Sequence, residues 1–285
     1  MRLALRDIGY TYAQGTSFAV RALSGVGLEV DRGELVLVLG ATGSGKSTLL
    51  RIAAGLLSPA EGTVMLNGSP VSRPPEIIGR VGLVFQSPQT QLFAETVEED
   101  VAFGPRNLGR GHDAALEAAR EALERVGLDW RTFGPRSPFA LSGGEAHRVA
   151  IAGVLAMRPE IVLFDEPTTG LDVSGRRAVR VIVEELRERA GVAIVTHDVE
   201  EFLGVADRVI VLSEGVLAYS GGAGALIDEP ARFQAAGLRV PEVLRAQVMA
   251  REAGVPMTCF SLDPHAAAAL VAGARERKGK RERKR

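Results

Sequence analysis

Gly40-Ala41-Thr42-Gly43-Ser44-Gly45-Lys46-Ser47-Thr48 is the stretch on which the reading of the whole chain turns. It fits the spacing G-x-x-x-x-G-K-[ST], with an apolar strand-like run before it (Leu35–Leu39) and a helical pattern after it (Thr48 to Leu57). Gly43 and Gly45 let the backbone wrap round an anion at little steric cost, so that successive N–H groups can point at phosphate oxygens. The helix that follows adds the positive end of its dipole at the same place. Lys46 would then reach the β- and γ-phosphates of a nucleoside triphosphate, and the Ser47 hydroxyl would hold Mg2+. The bland alternative, a glycine-rich turn in an ordinary βα unit, does not call for the Lys-Ser pair between two such elements.

Working outward, four further runs are almost wholly apolar: Val81–Phe85, Ile161–Phe164, Val192–Val195 and Val209–Leu212. Together with Leu35–Leu39 they predict central strands buried on both faces, the pattern of a parallel α/β sheet. Shorter runs at Leu3–Ile8, Gly27–Val30 and Thr63–Leu66, separated by turn residues, predict a small antiparallel layer near the N-terminus. Between Phe85 and Ile161 the period becomes helical. Thr96-Val97-Glu98-Glu99 reads as a capping box, and Leu116, Ala119, Leu123 and Val126 line one face of a helix that stops at Gly127. Val179, Ile182, Val183 and Leu186 mark another helix, and Ser213-Glu214-Gly215 a hairpin turn. From about Glu229 the strand pattern is gone, and short helices broken at Gly237, Pro241 and Gly254 are expected. The end, Arg275 to Arg285, is mostly Arg and Lys. It reads as a solvated, disordered tail, with attraction to anionic lipid head groups as the sharper alternative.

Bulk properties narrow the function classes. The chain has 285 residues, 46% of them hydrophobic, which is ample for a large core. A net charge of −1 argues against a nucleic-acid binder that works by bulk electrostatics. One cysteine, Cys259, leaves no internal disulfide and no Cys-cluster metal site. Met1-Arg2-Leu3-Ala4-Leu5-Arg6-Asp7 is charged too early for a signal peptide, and no run reaches the ~18 apolar residues of a bilayer span. The expectation is a soluble protein whose membrane role comes through a partner.

Two more motifs complete a nucleotide site. Ile161-Val162-Leu163-Phe164-Asp165-Glu166 is a buried strand delivering two acids at its carboxyl end, where open α/β sheets place their ligands. Asp165 suits the Mg2+ shell. Glu166 suits the attacking water, as general base or by orienting it. Leu141-Ser142-Gly143-Gly144-Glu145 opens another helix. Ser142 and Glu145 can form a capping box, and two small glycines can let a phosphate approach the exposed N–H groups. These two readings are not exclusive, and the spacing does not say whose phosphate it would be.

The order of these motifs, with a Gln after a strand, Asp-Glu-Pro-Thr, Gly-Leu-Asp and a His after a later strand, resembles an ABC-type ATPase over roughly Leu3 to Gly222. The resemblance implies a P-loop NTPase fold of ABC type: a mainly parallel core sheet, an N-terminal antiparallel β layer, a helical signature subdomain and a small C-terminal helical extension. It implies a nucleotide-binding domain at 1–228, with a helical insert at about 88–158, and an extension at 229–285. It also implies that two nucleotide domains pack head to tail, each ATP lying between one subunit's phosphate loop and the other's signature helix. By the same resemblance Tyr12 stacks on adenine, although it can equally be read as a half-buried strand residue, with Tyr10 as neighbouring candidate. Gln86 reports on Mg2+ and the attacking water, Ser142 to Glu145 form the signature motif, Asp172 belongs to the inter-subunit contact loop, and His197 holds the γ-phosphate. The chain departs from the family pattern at Glu145, where Gln is commoner, and at Val173, where Pro is frequent.

Phe85-Gln-Ser-Pro-Gln-Thr-Gln-Leu-Phe-Ala-Glu-Thr-Val-Glu-Glu-Asp-Val-Ala-Phe-Gly-Pro-Arg-Asn-Leu-Gly109 is similar to ATPases of energy-coupling factor transporters, as is Arg148-Val-Ala-Ile-Ala-Gly-Val-Leu-Ala-Met157. Gly237-Leu-Arg-Val-Pro-Glu-Val243 resembles their helical extension. This similarity implies an ATP-hydrolysing subunit at the cytoplasmic face of a membrane. Its partners would be a transmembrane coupling subunit and a substrate-binding membrane subunit that imports a vitamin or transition-metal ion. A homodimer and a heterodimer with a related ATPase both stay open. Gln89 to Phe93 would lie just beyond the Gln86 loop, with Leu92 and Phe93 read either as a groove for the partner's coupling helix or as core. The alternatives are the ATPase of a conventional ABC importer for amino acids or peptides, and a non-transport ABC ATPase.

Overall fold

A computed structural model describes residues 1–71, 73–87 and 91–282, with residue 74 and residues 275–282 described only in their backbone. Of the expected partner segment, Gln89 and Thr90 lie outside the described residues, as do 283–285 of the basic end.

In chain order the N-terminal half holds β1 (Arg2–Tyr12), β2 (Val20–Asp31), β3 (Leu35–Leu39), α1 (Lys46–Ala53), β4 (Glu61–Leu66), β5 (Ser69–Pro70) and β6 (Val81–Val84). A helical region follows: α2 (Val97–Asn107), α3 (His112–Arg125), α4 (Trp130–Phe133) and α5 (Gly143–Ala156). The chain then returns through β7 (Ile161–Asp165), α6 (Val173–Arg187), β8 (Gly191–Thr196), α7 (Val199–Phe202), β9 (Arg208–Ser213) and β10 (Val216–Gly222). It closes with α8 (Ala223–Asp228), α9 (Ala231–Ala235), α10 (Glu242–Glu252) and α11 (Pro264–Glu282).

Among the described residues there are two sheets. One has the order β2-β1-β4-β5 and is antiparallel; the other has the order β10-β9-β3-β8-β7-β6. The second is parallel from β9 to β6, with β10 added antiparallel at its edge. Its apolar strands feed two separate cores, because successive side chains point to opposite faces. Leu35, Leu37 and Leu39 of β3 face the helical side with Val162, Phe164, Val192 and Ile194. Val36 and Val38 face the antiparallel sheet and α1 with Leu163, Ala193 and Val195. The parallel sheet is therefore the middle layer of three, and a strand buried on both faces has no polar alternation to show.

The helical region is built by its caps and stops. Thr96 Oγ1 accepts from the Glu99 N–H at 3.3 Å and starts α2, the half of the expected capping box that this end displays. The chain turns after α3 at Gly127, whose φ of +70° needs glycine. Glu214 and Gly215 both have positive φ (50° and 78°) in the two-residue turn that joins β9 to β10. The C-terminal helices pack on the helical side of the core through Phe233 and Leu244, both fully buried.

Two expectations need correction. The backbone of α11 is helical as far as Glu282, where a disordered tail from Arg275 was expected. Ala, Arg, Lys and Glu are all strong helix formers, and nothing in the composition of that run breaks a helix except Gly279. Leu92 and Phe93, read together, separate. Leu92 is 7% exposed and belongs to the core, while Phe93 is 57% exposed and lies edge-to-face on Phe103 at 4.7 Å.

Candidate functional site

The phosphate loop is moulded by what surrounds it. Gly45 begins α1 with φ +99°, and a Cβ there would come within 2.6 Å of the Ala22 carbonyl oxygen on β2. At Gly43, φ is +84° and a Cβ would meet nothing, so the loop is open on that side. The hairpin tip braces the loop from beneath: Gly215 donates to the Ser44 carbonyl at 3.2 Å and accepts from the Ser24 N–H at 2.8 Å. Lys46 is buried, and its ammonium donates to the carbonyls of Gly40 (2.8 Å) and Ala41 (2.9 Å) across the mouth of the loop. Burial lowers its pKa, while Glu166 and Asp165 oppose that shift.

β7 and β8 bring the acids to the same end of the sheet. Ser47 Oγ donates to Asp165 Oδ1 at 3.0 Å, joining the loop to the end of β7. Burial raises the Asp165 pKa, the Ser47 hydrogen bond works against it, and neighbouring Glu166 adds to it. Glu166 sits at φ +51°, with its N–H bonded to the Val195 carbonyl at 2.8 Å. That unusual backbone turns the side chain toward β8, where Oε2 meets His197 Nδ1 at 2.8 Å, Thr196 Oγ1 at 3.3 Å and Thr169 Oγ1 at 3.4 Å.

These groups open on a pocket of about 400 Å3 lined by Tyr12, Val20, Arg21, Ala22, Thr42, Gly43, Gly45 to Thr48, Gln86, Glu166 and His197. The size falls in the usual range for a small-molecule site. Tyr12 stands on its rim, its hydroxyl 3.0 Å from Thr48 Oγ1 and its ring edge-on to Tyr10 at 4.9 Å. Tyr10 does not line the pocket; it packs on the antiparallel core. The metal donors fit a hard divalent cation. Ser47 Oγ and Asp165 Oδ1 are oxygens already side by side, and no cluster of three or more His, Cys, Asp or Glu occurs among the described residues. So sparse an oxygen set is what Mg2+ takes when substrate phosphates and water complete its shell.

The remaining sequence candidates are elsewhere. Ser142 to Glu145 and Asp172 do not line this pocket. Ser142 starts α5 in a full capping box: its hydroxyl accepts from the Glu145 N–H at 3.3 Å, and its N–H donates to Glu145 Oε2 at 2.7 Å. Those bonds hold the Glu145 pKa below its ordinary value. At Gly143 and Gly144 a Cβ would meet nothing, so that helix end is uncovered. Asp172 caps α6, accepting from the Gly175 N–H at 2.8 Å and from the Ser174 hydroxyl at 3.1 Å. The uncovered start of α5 and the phosphate loop thus lie apart in one chain, and of the two the loop shares its pocket with Glu166.

Sequence reasoning missed Val20, Arg21 and Ala22, because the second strand was expected only from Gly27 and its first half has no clean alternation. It also missed Thr196 and Thr169 beside Glu166. A Thr preceding the His, and a second Thr after Asp-Glu-Pro, were the signals available.

Comparison with known proteins follows the same lines. The pattern of the family described as ABC transporter matches residues 23–169. The energy-coupling factor transporter ATP-binding protein EcfA2 of Symbiobacterium thermophilum is 42% identical over 275 residues, covering 94% of this chain and 95% of that protein. The structure of cbiO1 from Clostridium perfringens, part of the ABC transporter complex cbiONQ, superposes with a TM-score of 0.72 at 31% identity, over 86% of this chain and 98% of that one. A dimeric ATP-binding cassette in a post-hydrolysis state, bound to ADP and Pi, superposes with a TM-score of 0.69 at 31% identity, over 78% and 98%.

Proposed function

Because this chain belongs to the ABC transporter family as an ATP-hydrolysing subunit of the energy-coupling factor type, we propose that it closes on a second copy, or on a related ATPase, around ATP. That closure drives uptake of a vitamin or transition-metal ion. The observation that carries the reading is the contact of His197 Nδ1 with Glu166 Oε2 (2.8 Å) in the pocket that also holds Lys46.

Each step is assigned to residues of this chain. Adenine lies on Tyr12 at the pocket rim. The N–H groups of Thr42 to Thr48 and the Lys46 ammonium take the β- and γ-phosphates, Lys46 leaving its two carbonyl partners to do so. Ser47 and Asp165 would hold Mg2+, which supplies charge neutralisation on the phosphate oxygens when bound. Glu166 receives the proton of the attacking water or orients that water, and Thr196 and Thr169 fix its carboxylate. Gln86 lines the same pocket and would contact water and metal there. His197 turns from Glu166 to the γ-phosphate as the seam closes. Ser142 to Glu145 of the opposing subunit complete the site from across the seam, and Asp172 lies in the loop that touches the partner.

Closure is favoured only while ATP contacts both subunits, so hydrolysis removes the preference and the dimer reopens. The cassette that is dimeric with ADP and Pi bound supports the pairing of two such domains, with reopening following loss of the products. Movement passes to the membrane subunits through the helical region, where the exposed Phe93–Phe103 pair offers an aromatic surface next to the Gln86 loop. No described helix is long and apolar enough to cross a membrane, which suits a peripheral subunit at the cytoplasmic face. The substrate would be recognised by the separate membrane subunit.

Glu166→Gln is the test. The variant is expected to bind ATP, to lose turnover by at least about a hundredfold, and to accumulate as a dimer on size exclusion with ATP and Mg2+. Turnover near that of the parent would remove Glu166 from this role.

A further inference from the structure

The start of α5 carries a charge at odds with phosphate binding. Glu145 is the third residue of that helix, and its carboxylate folds back to Ser142, beside the uncovered N–H groups of Gly143 and Gly144. A carboxylate there favours the helix through the dipole. The same charge repels a polyphosphate arriving at the same N–H groups. Arg136 is placed to offset it. Its Nη1 lies 3.8 Å from Glu145 Oε1, its Nη2 donates to the Ala140 carbonyl at 3.2 Å, and its guanidinium lies 5.1 Å from the centre of the Phe133 ring. Its own carbonyl accepts from the Val97 N–H at 2.9 Å, tying it to the first residue of α2. Arg148, the other cation facing Glu145, reaches toward the carbonyls of Val126 and Gly127 at 3.4 Å each with its Nη1.

We propose that Arg136 is a positioning residue of the ATPase. It neutralises the Glu145 carboxylate and braces the turn 137–142, so that the start of α5 accepts the γ-phosphate of a nucleotide held by the opposing phosphate loop. This inference rests on the reading of Ser142 to Glu145 given above.

The test is steady-state ATPase against ATP concentration, at low and high salt, for Arg136→Ala, Glu145→Gln, the double variant and Ser142→Arg. Arg136→Ala is expected to lower kcat/KM by about tenfold or more, with a smaller loss at high salt, where ions screen the uncovered carboxylate. In the Glu145→Gln background the same substitution should cost less than about threefold, since the charge it offsets is gone. An equal loss in both backgrounds, unchanged by salt, would overturn charge compensation; no loss in either would overturn any role for Arg136. Arg136→Gln retains a polar side chain without the charge and replaces the alanine variant if that one fails to fold; the same coupling is expected of it. Ser142→Arg separates this from the parent reading. If it leaves turnover intact, the phosphate role of the α5 start fails. If it abolishes turnover while the Arg136 and Glu145 effects merely add, only the present inference fails.

Discussion

Burial holds the Asp165 carboxyl above its ordinary pKa, and the Ser47 hydrogen bond recovers only part of that shift. Below the ordinary carboxylate pKa both folded and unfolded chains carry the proton, and the site has no effect on stability. As pH rises past that value the unfolded chain ionises first, so folding is penalised. The penalty is complete once pH has passed the folded-state value. Asp165→Asn should therefore raise the melting temperature of the nucleotide-free protein at pH 7 to 8. The gain should fade as pH is lowered toward the ordinary carboxylate range. Thermal scans across that window check it, and a gain independent of pH would point to packing instead. The same variant is expected to lose Mg2+-dependent ATP binding, since the amide brings no charge to the metal. Such a trade of stability for function is what a buried carboxylate kept for a metal ion would imply. At this scale Lys46, Asp165, Glu166 and His197 were legible because each sits at a fixed distance from a strand end. Arg21 was not, because the strand that aims it is defined by its pairing with β1 (Arg21 opposite Thr11) rather than by its own pattern.

Gln247 is the clearest case of a side chain serving an element. It is 1% exposed on α10, donates to the carbonyls of Val243 (2.9 Å) and Ser261 (2.7 Å), and accepts from the Ser261 N–H at 3.0 Å. Gln247→Ala leaves both backbone groups of Ser261 without these partners, a cost of about 1–3 kcal/mol. The cost falls on the segment between α10 and α11. Limited proteolysis there should quicken by about tenfold, while an unchanged cleavage rate would mean that the two helices are held by their apolar faces alone. Elements of the parallel sheet were readable because a strand buried on both sides is an unbroken apolar run. The C-terminal helices were readable only as broken pieces, since their joints depend on contacts such as this one, between residues far apart in sequence. The helix that continues to Glu282 was missed because charge was weighed above propensity. The split between Leu92 and Phe93 was missed for a different reason: two adjacent apolar residues leave sequence no way to say which one faces inward.

At the scale of the whole molecule, the phosphate loop and the start of α5 lie in different places. The phosphate loop shares its pocket with Glu166 and His197, whereas the Ser142 end of α5 shares it with neither. If the chain pairs with itself, each site in the pair takes its loop from one copy and its signature from the other. Specific activity should then rise with protein concentration until the pair is saturated, a dependence a self-sufficient monomer would lack.

In such a self-pair, the same geometry would make defects in different halves mutually forgiving. Lys46→Ala spoils the loop of the copy that carries it, and Ser142→Arg spoils only what that copy lends to its neighbour. Combine the two inert preparations and let them exchange. In each mixed pair both lesions fall in one site, and the other is assembled wholly from native parts. With random exchange about half of the pairs are mixed, each with one good site of two, so a recovered activity near one quarter of the parent is expected if sites act independently. Two broken copies would complement each other, an outcome in which inheritance of the fault follows the seam and not the chain.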